Sequence, residues 1–488
     1  MDNSDSFFDG RMLIDGQMLA SESGAWLDSI DPADESVIGR MPLGSAADMN
    51  AAVAAAKRAQ IGWARTSIPD RVARLNKLAD AIEKSAAKIA RLEARDTGNL
   101  LGPMHKDVLS AAERIRFAAG YGYEVKGFSV PGVGNNLHFT TRVPYGVVGR
   151  IVAFNHPFGF AAARISSVLI SGNTMVIKPS EQSPLSASLL GELCAEHLPA
   201  GVVNIVTGGR ETGEALVRHP DVKRIAFIGS VPAGRAIQKA AAETAVKHVS
   251  LELGGKNPLI AFPDVDLHRV ADAAVAGMNF SWQGQSCGST SRLLLHKDIY
   301  QEVTALVLER VARIKLGHPL DASSSMGPIN SLGHYRKVMS YIELGPQEGA
   351  ELIAGGKRPE GRQFEKGYWV MPTVFRDVRP EMRLAREEVF GPVLSIMRFD
   401  TEEQAIDIAN SVEFGLTAAV WSRDIDRALR VAAAVQAGYV WVNGVGTHYR
   451  NMPYGGMKNS GVGREEGLAD ILGYTEEKSV NILVSDAS

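Results

Sequence analysis

The sequence has little cysteine, no long apolar run and no excess of basic charge. Only 2 of its 488 residues are cysteine, which excludes a disulfide framework and indicates a reducing compartment. No stretch approaches the ~18 consecutive apolar residues of a membrane span. The formal net charge is −3, and no basic patch indicates a nucleic-acid partner. Residues 1–5 are acidic and carry no apolar leader, so we expect a cytoplasmic protein.

What is present is the composition of a globular enzyme. Hydrophobic residues make up 45% of the chain and charged residues 22%, which is ordinary for a soluble protein. The length predicts two to four domains of roughly 100–200 residues each. The spacing of apolar residues predicts helices over 46–64, 69–97 and 106–122. These helices could pack on a sheet or form a separate bundle.

From residue 145 the pattern alternates between short apolar strands and helices. The predicted strands are 147–153, 174–177, 202–206, 224–228 and 248–252, with helices over 184–197, 211–218 and 232–246. The second half repeats the pattern with strands 291–295, 370–375, 393–397, 418–421 and 439–443, and helices 298–314, 402–411 and 425–436. Such alternation predicts an α/β fold with parallel sheets covered on both faces. Ligands bind such sheets at the carboxyl ends of the strands.

Two segments differ from this alternation. Residues 136–143 alternate between polar and apolar side chains, as an extended arm or a plain surface hairpin would. Residues 479–484 form an exposed apolar strand, which needs a partner and could pair with the arm of a neighbouring subunit. We therefore expect a homodimer or homotetramer. The predicted units are a first domain of 1–122 and 144–253, a second domain of 254–470, and an arm and tail of 123–143 and 471–488.

The two cysteines have different surroundings. Cys287 lies among the small residues of 284–289, which leave its sulfur reachable. Cys194 lies in an amphipathic helical run and is interpreted as a small core residue. Because a thiol is nucleophilic only where its surroundings favour the thiolate, the other residues near Cys287 decide whether it is catalytic.

Two polar residues at strand ends are candidates to act with Cys287. Asn155 follows the first strand and offers an amide donor, although it could be only a turn residue. Glu252 ends the fifth strand between two leucines, where burial should raise its pKa and suit it to general-base chemistry. The alternative is that Glu252 forms an ion pair with Lys256 or another cation.

Other strand ends indicate a site for a phosphorylated ligand. Lys178 and Glu181 follow the second strand and could hold the hydroxyls of a ribose. The glycine turn at 229–234 opens a helix, whose first N–H groups have no partner within the helix and attract anions. This turn is not the G-x-G-x-x-G fingerprint of dinucleotide-binding proteins. Further on, 387–392 combines acid, aromatic and turn residues, and 453–461 is rich in glycine.

Seven motifs in this order resemble the aldehyde dehydrogenase superfamily along nearly the whole chain. They are Phe-Asn-x-Pro at 154–157, Lys-Pro-Ser-Glu at 178–181, Gly-Ser-x-x-x-Gly at 229–234, Glu-Leu-Gly-Gly-Lys at 252–256, Gly-Gln-x-Cys at 284–287, Glu-x-Phe-Gly-Pro at 388–392 and Pro-x-Gly-Gly-x-Lys-x-Ser-Gly at 453–461. The resemblance implies a Rossmann-like cofactor-binding domain, a catalytic α/β domain and a β-strand oligomerisation flap. The predicted arm and tail fit that flap.

The resemblance also implies a role for each matching residue. Cys287 would be the nucleophile, Asn155 and the Cys287 N–H would form the oxyanion hole, and Glu252 would activate water. Lys178 and Glu181 would hold the adenosine ribose, Glu388 the nicotinamide ribose, and Phe390 would lie beside the nicotinamide. The implied cofactor site comprises Phe154, Lys178, Glu181, Gly229, Ser230, Gly234, Glu388 and Phe390, with the three residues of the glycine turn at the pyrophosphate. No metal site is predicted.

The implied reaction oxidises an aldehyde to its acid with NAD(P), through a thiohemiacetal and a thioester on Cys287. One alternative is a CoA-acylating aldehyde dehydrogenase, although such members generally lack the base that Glu252 supplies. A second is a non-catalytic oligomeric binding protein that keeps the fold. A third is a cysteine hydrolase, for which no recognisable histidine signature is present. The carboxylate of Glu181 favours NAD over NADP, although Arg210 could weaken that preference.

Departures from the family pattern concern the substrate pocket. His156 and Ala163 replace bulkier apolar or aromatic residues, and polar side chains precede the last glycine-rich loop. The predicted pocket residues are His156, Phe160, Ala163, His448 and Arg450. They predict a roomy, polar pocket suited to an aromatic or hydroxylated aldehyde. Arg450 leaves an acid semialdehyde open as a substrate.

Overall fold

The computed structural model describes residues 7–484, and two large sheets dominate them. The first sheet has eight strands within this range. Its central strands are parallel, in the spatial order His248–Glu252, Val222–Ile228, Val147–Ile151, Thr174–Lys178 and Val203–Ile205. Antiparallel strands Met12–Ile14 and Gln17–Leu19 extend one edge, and Gly461–Val462 extends the other.

The first sheet is covered on both faces, as its apolar strands predict. Every residue of Val147–Ile151 and of Thr174–Lys178 is buried. Neighbouring residues of a strand point to opposite faces: Val148 packs with the helices around 68–119, whereas Val147 packs with the helix Ala46–Arg65. The N-terminal helices therefore pack on this sheet and do not form a separate bundle.

The second sheet has seven strands among the described residues. In spatial order they are Glu351–Ala354, Thr373–Arg376, Val393–Phe399, Arg292–His296, Pro258–Ala261, Thr417–Trp421 and Tyr439–Val442. All neighbours are parallel except the first pair. Smaller sheets join Phe8–Asp9, Val37–Pro42 and Trp26–Ile30, and Phe414–Gly415 with Met457–Lys458.

The helices agree with most of the predicted spans. They are Ala46–Arg65, Ile68–Lys84, Ala86–Thr97, Leu101–Ala119, Pro157–Ala162, Ile165–Ile170, Ser186–His197, Arg210–Arg218, Val231–Thr244, Leu267–Gly277, Tyr300–Val311, Leu332–Gln347, Arg383–Arg386, Glu402–Asn410, Ile425–Ala434 and Leu468–Leu472. The single helix predicted over 69–97 is wrong, because Ser85, with ψ near 0°, ends one helix and begins the next. Between residues 7 and 484, no helix has the length and apolar character needed to cross a membrane.

The arm and the tail pair with each other inside one chain. Strand Leu137–Pro144 runs antiparallel to Thr475–Ile482 over its whole length, and Ser129–Val130 pairs with its other edge. The expectation that the tail strand pairs with the arm of a neighbouring subunit is therefore wrong, because both edges of the arm strand are already paired within the chain. Residues 1–6 and 485–488, the ends of the predicted first domain and tail, lie outside the described residues.

Candidate active site

Two cavities meet at Cys287 and Glu252. The larger, about 1010 Å³, lies over the carboxyl ends of the central strands of the first sheet. The smaller, about 410 Å³, is lined by residues from both halves of the chain. Cys287 and Glu252 line both cavities, together with Phe160 and Ile228. A group bound in either cavity can therefore reach the same thiol and carboxyl.

A sharply bent loop carries Cys287. Asn279 and Gln283 have positive φ angles of 56° and 54° on either side of a short 3-10 turn, and Gly284 follows with φ 67°. A Cβ on Gly284 would lie 2.1 Å from the carbonyl oxygen of Gly391. Only glycine fits there, so the Gly-Gln-x-Cys motif has a steric reason for its first residue.

The buried side chain of Asn257 fixes this loop to the second sheet. Its Nδ2 donates to the carbonyl oxygens of Cys287 (2.7 Å) and Ser289 (2.9 Å). Its Oδ1 accepts the N–H of Thr417 (3.0 Å). Sequence reasoning did not identify Asn257, although it directly follows the Glu-Leu-Gly-Gly-Lys motif.

The two thiols differ in their contacts as well as in their position. Cys194 is buried in its helix, and burial raises the pKa of its thiol to about 12. Burial and then the nearby Glu252 carboxyl raise the pKa of the Cys287 thiol well above its ordinary value. Cys287, however, lines two cavities, and its Sγ lies 3.9 Å from the Tyr454 hydroxyl.

Glu252 ends its strand as the sequence predicts and is only 4% exposed. Burial raises the pKa of its carboxyl to about 8. Among residues 7–484, neither its Oε1 nor the buried Nζ of Lys256 has a hydrogen-bond partner, so the alternative of a Glu252–Lys256 ion pair is not formed. Burial lowers the pKa of Lys256 to about 7. A buried carboxyl that is partly ionised near neutral pH can remove a proton from water.

Asn155 is held against the loop that carries Cys287. It is 3% exposed, and its Nδ2 donates to the carbonyl oxygen of Gln285 (2.9 Å). The Asn155 carbonyl oxygen accepts from Nδ2 of Asn99 (3.0 Å). An amide group carries two N–H donors, so one remains after the bond to Gln285. The amide lies in the larger cavity, which Cys287 also lines.

The predicted ribose pair lies in the larger cavity. Nζ of Lys178 donates to Oε2 of Glu181 (2.7 Å). Burial would raise the pKa of Glu181, but the ammonium of Lys178 outweighs it and holds that pKa below its usual value. The Glu181 carboxyl is thus ionised, and the pair can donate to and accept from hydroxyls.

The glycine turn of the same cavity begins the helix Val231–Thr244. Gly229 and Ser230 line the cavity, and the Ser230 hydroxyl caps the helix by accepting the N–H of Ala233 (3.4 Å). Gly234 lies elsewhere: it is buried, and a Cβ on it would come within 2.8 Å of Leu253. Gly234 therefore allows the helix to pack closely on the sheet instead of lining the cavity.

Glu388 closes the other end of the larger cavity. Its Oε1 accepts the N–H of Gly255 (2.8 Å), and a Cβ on Gly254 would lie 2.3 Å from its Oε2. Gly255 of the Glu-Leu-Gly-Gly-Lys motif thus donates a hydrogen bond to Glu388, and Gly254 leaves space for the Glu388 carboxylate. Burial raises the pKa of Glu388. The Phe390 ring lies 5.8 Å from the Phe154 ring, edge to face.

Two further residues of the larger cavity were missed by sequence reasoning. His334 and Lys337 lie on the helix Leu332–Gln347, which was itself not predicted, and both line the cavity beside Glu388. Burial lowers the pKa of His334 to about 4. The neutral ring donates from Nε2 to the carbonyl oxygen of Phe390 (2.6 Å). That carbonyl belongs to a residue with φ 58°, so the histidine stabilises a strained turn.

The smaller cavity contains four of the five predicted pocket residues: His156, Phe160, Ala163 and His448. The His156 ring stacks on Trp282 with centroids 4.1 Å apart, and its Nδ1 lies 3.3 Å from Oδ2 of Asp107. Arg450 is not among the lining residues, because its guanidinium is turned to Glu113 near the surface. Trp282 and Asp107 were not identified from the sequence.

A buried network of ion pairs forms one wall of the smaller cavity. Glu465 accepts from Arg150 (2.9 Å) and Arg164 (3.2 Å). Glu466 contacts Arg114, Arg164 and His448. Burial would raise the pKa of Glu465, but the two arginines outweigh it and hold that pKa below its usual value. The three arginines of this wall are all paired with carboxylates.

The sequence and structure comparisons agree. Residues 18–480 match the aldehyde dehydrogenase family. The chain is 42% identical to aldehyde dehydrogenase tropH of Talaromyces stipitatus over 98% of this chain and 94% of that protein. It superposes on an NAD-dependent aldehyde dehydrogenase from Sinorhizobium meliloti with TM-score 0.96 and 37% identity, covering 100% of this chain and 97% of that one. It also superposes on the indole-3-acetaldehyde dehydrogenase AldA of P. syringae, solved with NAD+ and IAA, with TM-score 0.95 and 36% identity, covering 98% and 97%.

The chain therefore belongs to the aldehyde dehydrogenase family. This confirms the resemblance, the α/β fold class and the prediction of an NAD(P)-dependent aldehyde dehydrogenase. Within residues 7–484, no group of three or more His, Cys, Asp or Glu side chains could hold a metal ion.

Proposed function

We propose that the chain oxidises an aldehyde to its carboxylic acid, with Cys287 as nucleophile, Asn155 as oxyanion donor and Glu252 as base for hydrolysis. The observation that carries this proposal is the convergence of the two cavities on Cys287 and Glu252. One cavity has the size and polar groups for a dinucleotide. The other is smaller and opens on the same thiol.

The larger cavity fits NAD. Lys178 and Glu181 would hold the adenosine ribose, the helix start at Gly229 and Ser230 would face the pyrophosphate, and Glu388 would hold the nicotinamide ribose. The bound cofactor supplies the hydride acceptor. In line with this assignment, the Sinorhizobium meliloti relative is described as NAD-dependent. We infer that the half of the chain around the first sheet binds the cofactor and that the half around the second sheet carries the nucleophile.

The residues of the chain divide the reaction into two stages. In the first, the thiolate of Cys287 attacks the carbonyl carbon, and the oxyanion receives N–H groups from Asn155 and from the Cys287 backbone. After oxidation, the acyl group remains on sulfur as a thioester. In the second stage, Glu252 removes a proton from water, which attacks the thioester and releases the acid. The pKa of about 8 for Glu252 suits this stage near neutral pH.

For the substrate, we propose a neutral aromatic or hydroxylated aldehyde. The stacked rings of His156 and Trp282 offer a flat surface, and the Asp107 carboxyl beside His156 offers a polar contact. An acid semialdehyde is disfavoured, because the arginines of the smaller cavity are paired with carboxylates and Arg450 lies outside it.

Two further proposals concern the assembly and the location of the protein. The three-stranded sheet of the arm and tail leaves Leu137 and Ile482 exposed, which supports its use as an oligomer contact in a homodimer or homotetramer. Both cysteines are free, in keeping with a cytoplasmic location.

The test is NADH or NADPH formation from a panel of aldehydes with NAD and NADP in parallel, without CoA. The panel contains aliphatic, aromatic, hydroxylated and carboxylate-bearing aldehydes. Turnover with NAD and release of the free acid are expected, with the neutral aromatic or hydroxylated members fastest. Turnover that requires CoA would replace the hydrolytic proposal with the acylating one. No turnover under either condition would favour the binding protein.

A further inference from the structure

The Tyr454 side chain reaches the Cys287 sulfur from the glycine-rich segment at 453–461. Its Oη lies 3.9 Å from Sγ, and that sulfur is the only hydrogen-bond partner of the hydroxyl between residues 7 and 484. The side chain is buried and lines the smaller cavity. In the sequence, this tyrosine is one residue of a loop that could have been a simple connection.

The position of the hydroxyl is fixed by the backbone and by ring packing. The N–H and carbonyl of Tyr454 exchange two hydrogen bonds of 2.7 Å with Glu465. Its ring packs against His448 at a centroid distance of 4.4 Å and against Tyr439 at 5.5 Å. Because the backbone and the ring of Tyr454 are both held in place, its hydroxyl lies near the sulfur without the entropy cost of ordering a mobile side chain.

We propose that Tyr454 is a catalytic residue whose O–H donates a hydrogen bond to the Cys287 sulfur and stabilises the thiolate. The inference rests on the proposed role of Cys287 as nucleophile. The direction of the bond follows from counting hydrogens. A thiol has one hydrogen, and once that proton has been lost to solvent the thiolate sulfur can only accept a hydrogen bond. Tyr454 keeps its own proton, because burial and the nearby thiol raise the pKa of its hydroxyl well above its ordinary value.

The charges around the thiol explain why such a donor matters. The ionisable groups that face Cys287 are Glu252 on the first sheet and Glu388 on the loop at 387–392, and Glu466 lies beyond the tyrosine. The Glu252 and Glu388 carboxyls raise the pKa of the Cys287 thiol and so oppose the thiolate, whereas Glu466 raises the pKa of the Tyr454 hydroxyl. A neutral donor favours the charged form of the group that accepts from it. The hydrogen bond from Tyr454 therefore acts to lower the pKa of Cys287.

The experiment compares Tyr454→Phe with Tyr439→Phe. Phenylalanine fills the same space and removes only the hydroxyl. Tyr439 belongs to the same ring cluster, but its hydroxyl accepts the N–H of Tyr449 (3.1 Å) instead of contacting the sulfur. The rate of Cys287 alkylation by iodoacetamide is followed against pH, with the modified residue identified by mass spectrometry. Thermal unfolding and NAD binding of each variant check that the fold is intact.

We expect Tyr454→Phe to raise the apparent pKa of Cys287 by about one unit. At a pH below the pKa of Cys287 in both proteins, the variant should therefore be alkylated about tenfold more slowly. Tyr439→Phe should leave the profile unchanged. The presteady-state burst of NADH should slow in Tyr454→Phe by a similar factor, whereas thioester hydrolysis should not. An unchanged alkylation profile in Tyr454→Phe would overturn the proposal.

The alkylation needs neither aldehyde nor cofactor. A protein that oxidises no aldehyde but shows the expected shift would contradict the proposed function and leave the hydrogen bond established. If Tyr454→Phe does not fold, the pKa of Cys287 can be measured in the protein without that substitution. The ultraviolet absorbance of the thiolate is titrated in the unmodified protein and in Cys287→Ala, and the difference gives the pKa of Cys287. Absence of a Cys287 thiolate signal at every pH below that at which the protein unfolds would then overturn the proposal.

Discussion

The two cavities that meet at Cys287 are built in different ways. The larger takes several of its polar groups from short motifs at successive strand ends, such as Lys178-Pro179-Ser180-Glu181. The smaller takes its polar groups from segments far apart in the chain, including Asp107, His156 and the pair Glu465 and Glu466. If the larger cavity binds the cofactor and the smaller the aldehyde, as proposed, the cofactor site is encoded locally, whereas the substrate site depends on how distant segments pack.

The cavities also differ in how their charges are arranged. In the larger cavity, the Lys178–Glu181 pair and the Glu388 carboxyl lie at separate points along its length. In the smaller cavity, arginines and carboxylates form one connected wall. We call the place where the two cavities meet, at Cys287 and Glu252, the junction. Substitutions at the junction should stop the reaction. Substitutions in the larger cavity should change cofactor use, and those in the smaller cavity should change aldehyde preference.

The largest effect is expected at the junction itself. Cys287→Ala removes the proposed nucleophile and should lower aldehyde oxidation by at least about 10⁴-fold, as loss of a covalent nucleophile does elsewhere. NAD binding, measured by calorimetry, should be retained because the larger cavity keeps its other residues. Cys194→Ala is the matched control, since Cys194 lines neither cavity, and its activity should be normal. Activity retained in Cys287→Ala would contradict the assignment.

Glu252→Gln is expected to affect the second stage more than the first. Loss of a general base costs about 10²–10⁴-fold, so NADH should form in a burst and then nearly stop. Because only the ionised carboxylate accepts a proton, hydrolysis in the unmodified enzyme should rise with pH and level off above about 8, the pKa of Glu252. Glu252→Gln should lose that rise. Unchanged steady-state turnover would remove Glu252 from the mechanism.

The junction and the larger cavity are also the parts that the sequence predicts best. Cys287, Glu252 and Asn155 each follow or end a short structural element, so a short stretch of sequence is enough to single each of them out. Gly284 and Gly254 are required because an added Cβ would lie only 2.1 Å from the Gly391 carbonyl oxygen or 2.3 Å from the Glu388 carboxylate. Such steric restrictions permit only glycine at these positions, and the glycines can therefore be recognised as part of a sequence motif.

The remaining parts were missed because their roles depend on packing. Tyr454 contacts the thiol only because the segment at 453–461 returns to the junction and pairs with Glu465. His334 lies on a helix whose pattern is interrupted by Pro346 near its end. The antiparallel pairing of the arm with the tail of the same chain joins residues more than 330 positions apart, which no local pattern specifies.

A smaller effect, confined to the smaller cavity, is expected from Ala163→Trp. The indole would occupy part of the 410 Å³ that Ala163 helps to line, and forcing a large group into such a space displaces its occupants. The kcat/KM for aromatic aldehydes should fall by about 10–100-fold, a discrimination typical of lost pocket volume. Short aliphatic aldehydes and the KM for NAD should be little affected.

Arg450→Ala is the control for this region. Its guanidinium is turned to Glu113 and lines neither cavity, so the aldehyde preference should stay as it is. A selective loss of carboxylate-bearing aldehydes in Arg450→Ala would show instead that this arginine reaches the substrate. Equal loss for short and aromatic aldehydes in Ala163→Trp would show that the smaller cavity is not where the aldehyde binds.

The smallest effect is expected at the adenosine end of the larger cavity. The Glu181 carboxylate is ionised and half exposed, so it should accept from ribose hydroxyls and repel a 2′-phosphate. Screening by solvent limits such a contribution, and Glu181→Ala should narrow the NAD over NADP preference by only about three- to tenfold. Arg210 lines the same cavity with the opposite charge, so Arg210→Ala should shift the preference the other way. Kinetics with both cofactors measure the two ratios. If both variants keep the original ratio, the ribose is recognised elsewhere. If both variants also change the aldehyde preference, the assignment of the cofactor to the larger cavity and of the aldehyde to the smaller one is wrong.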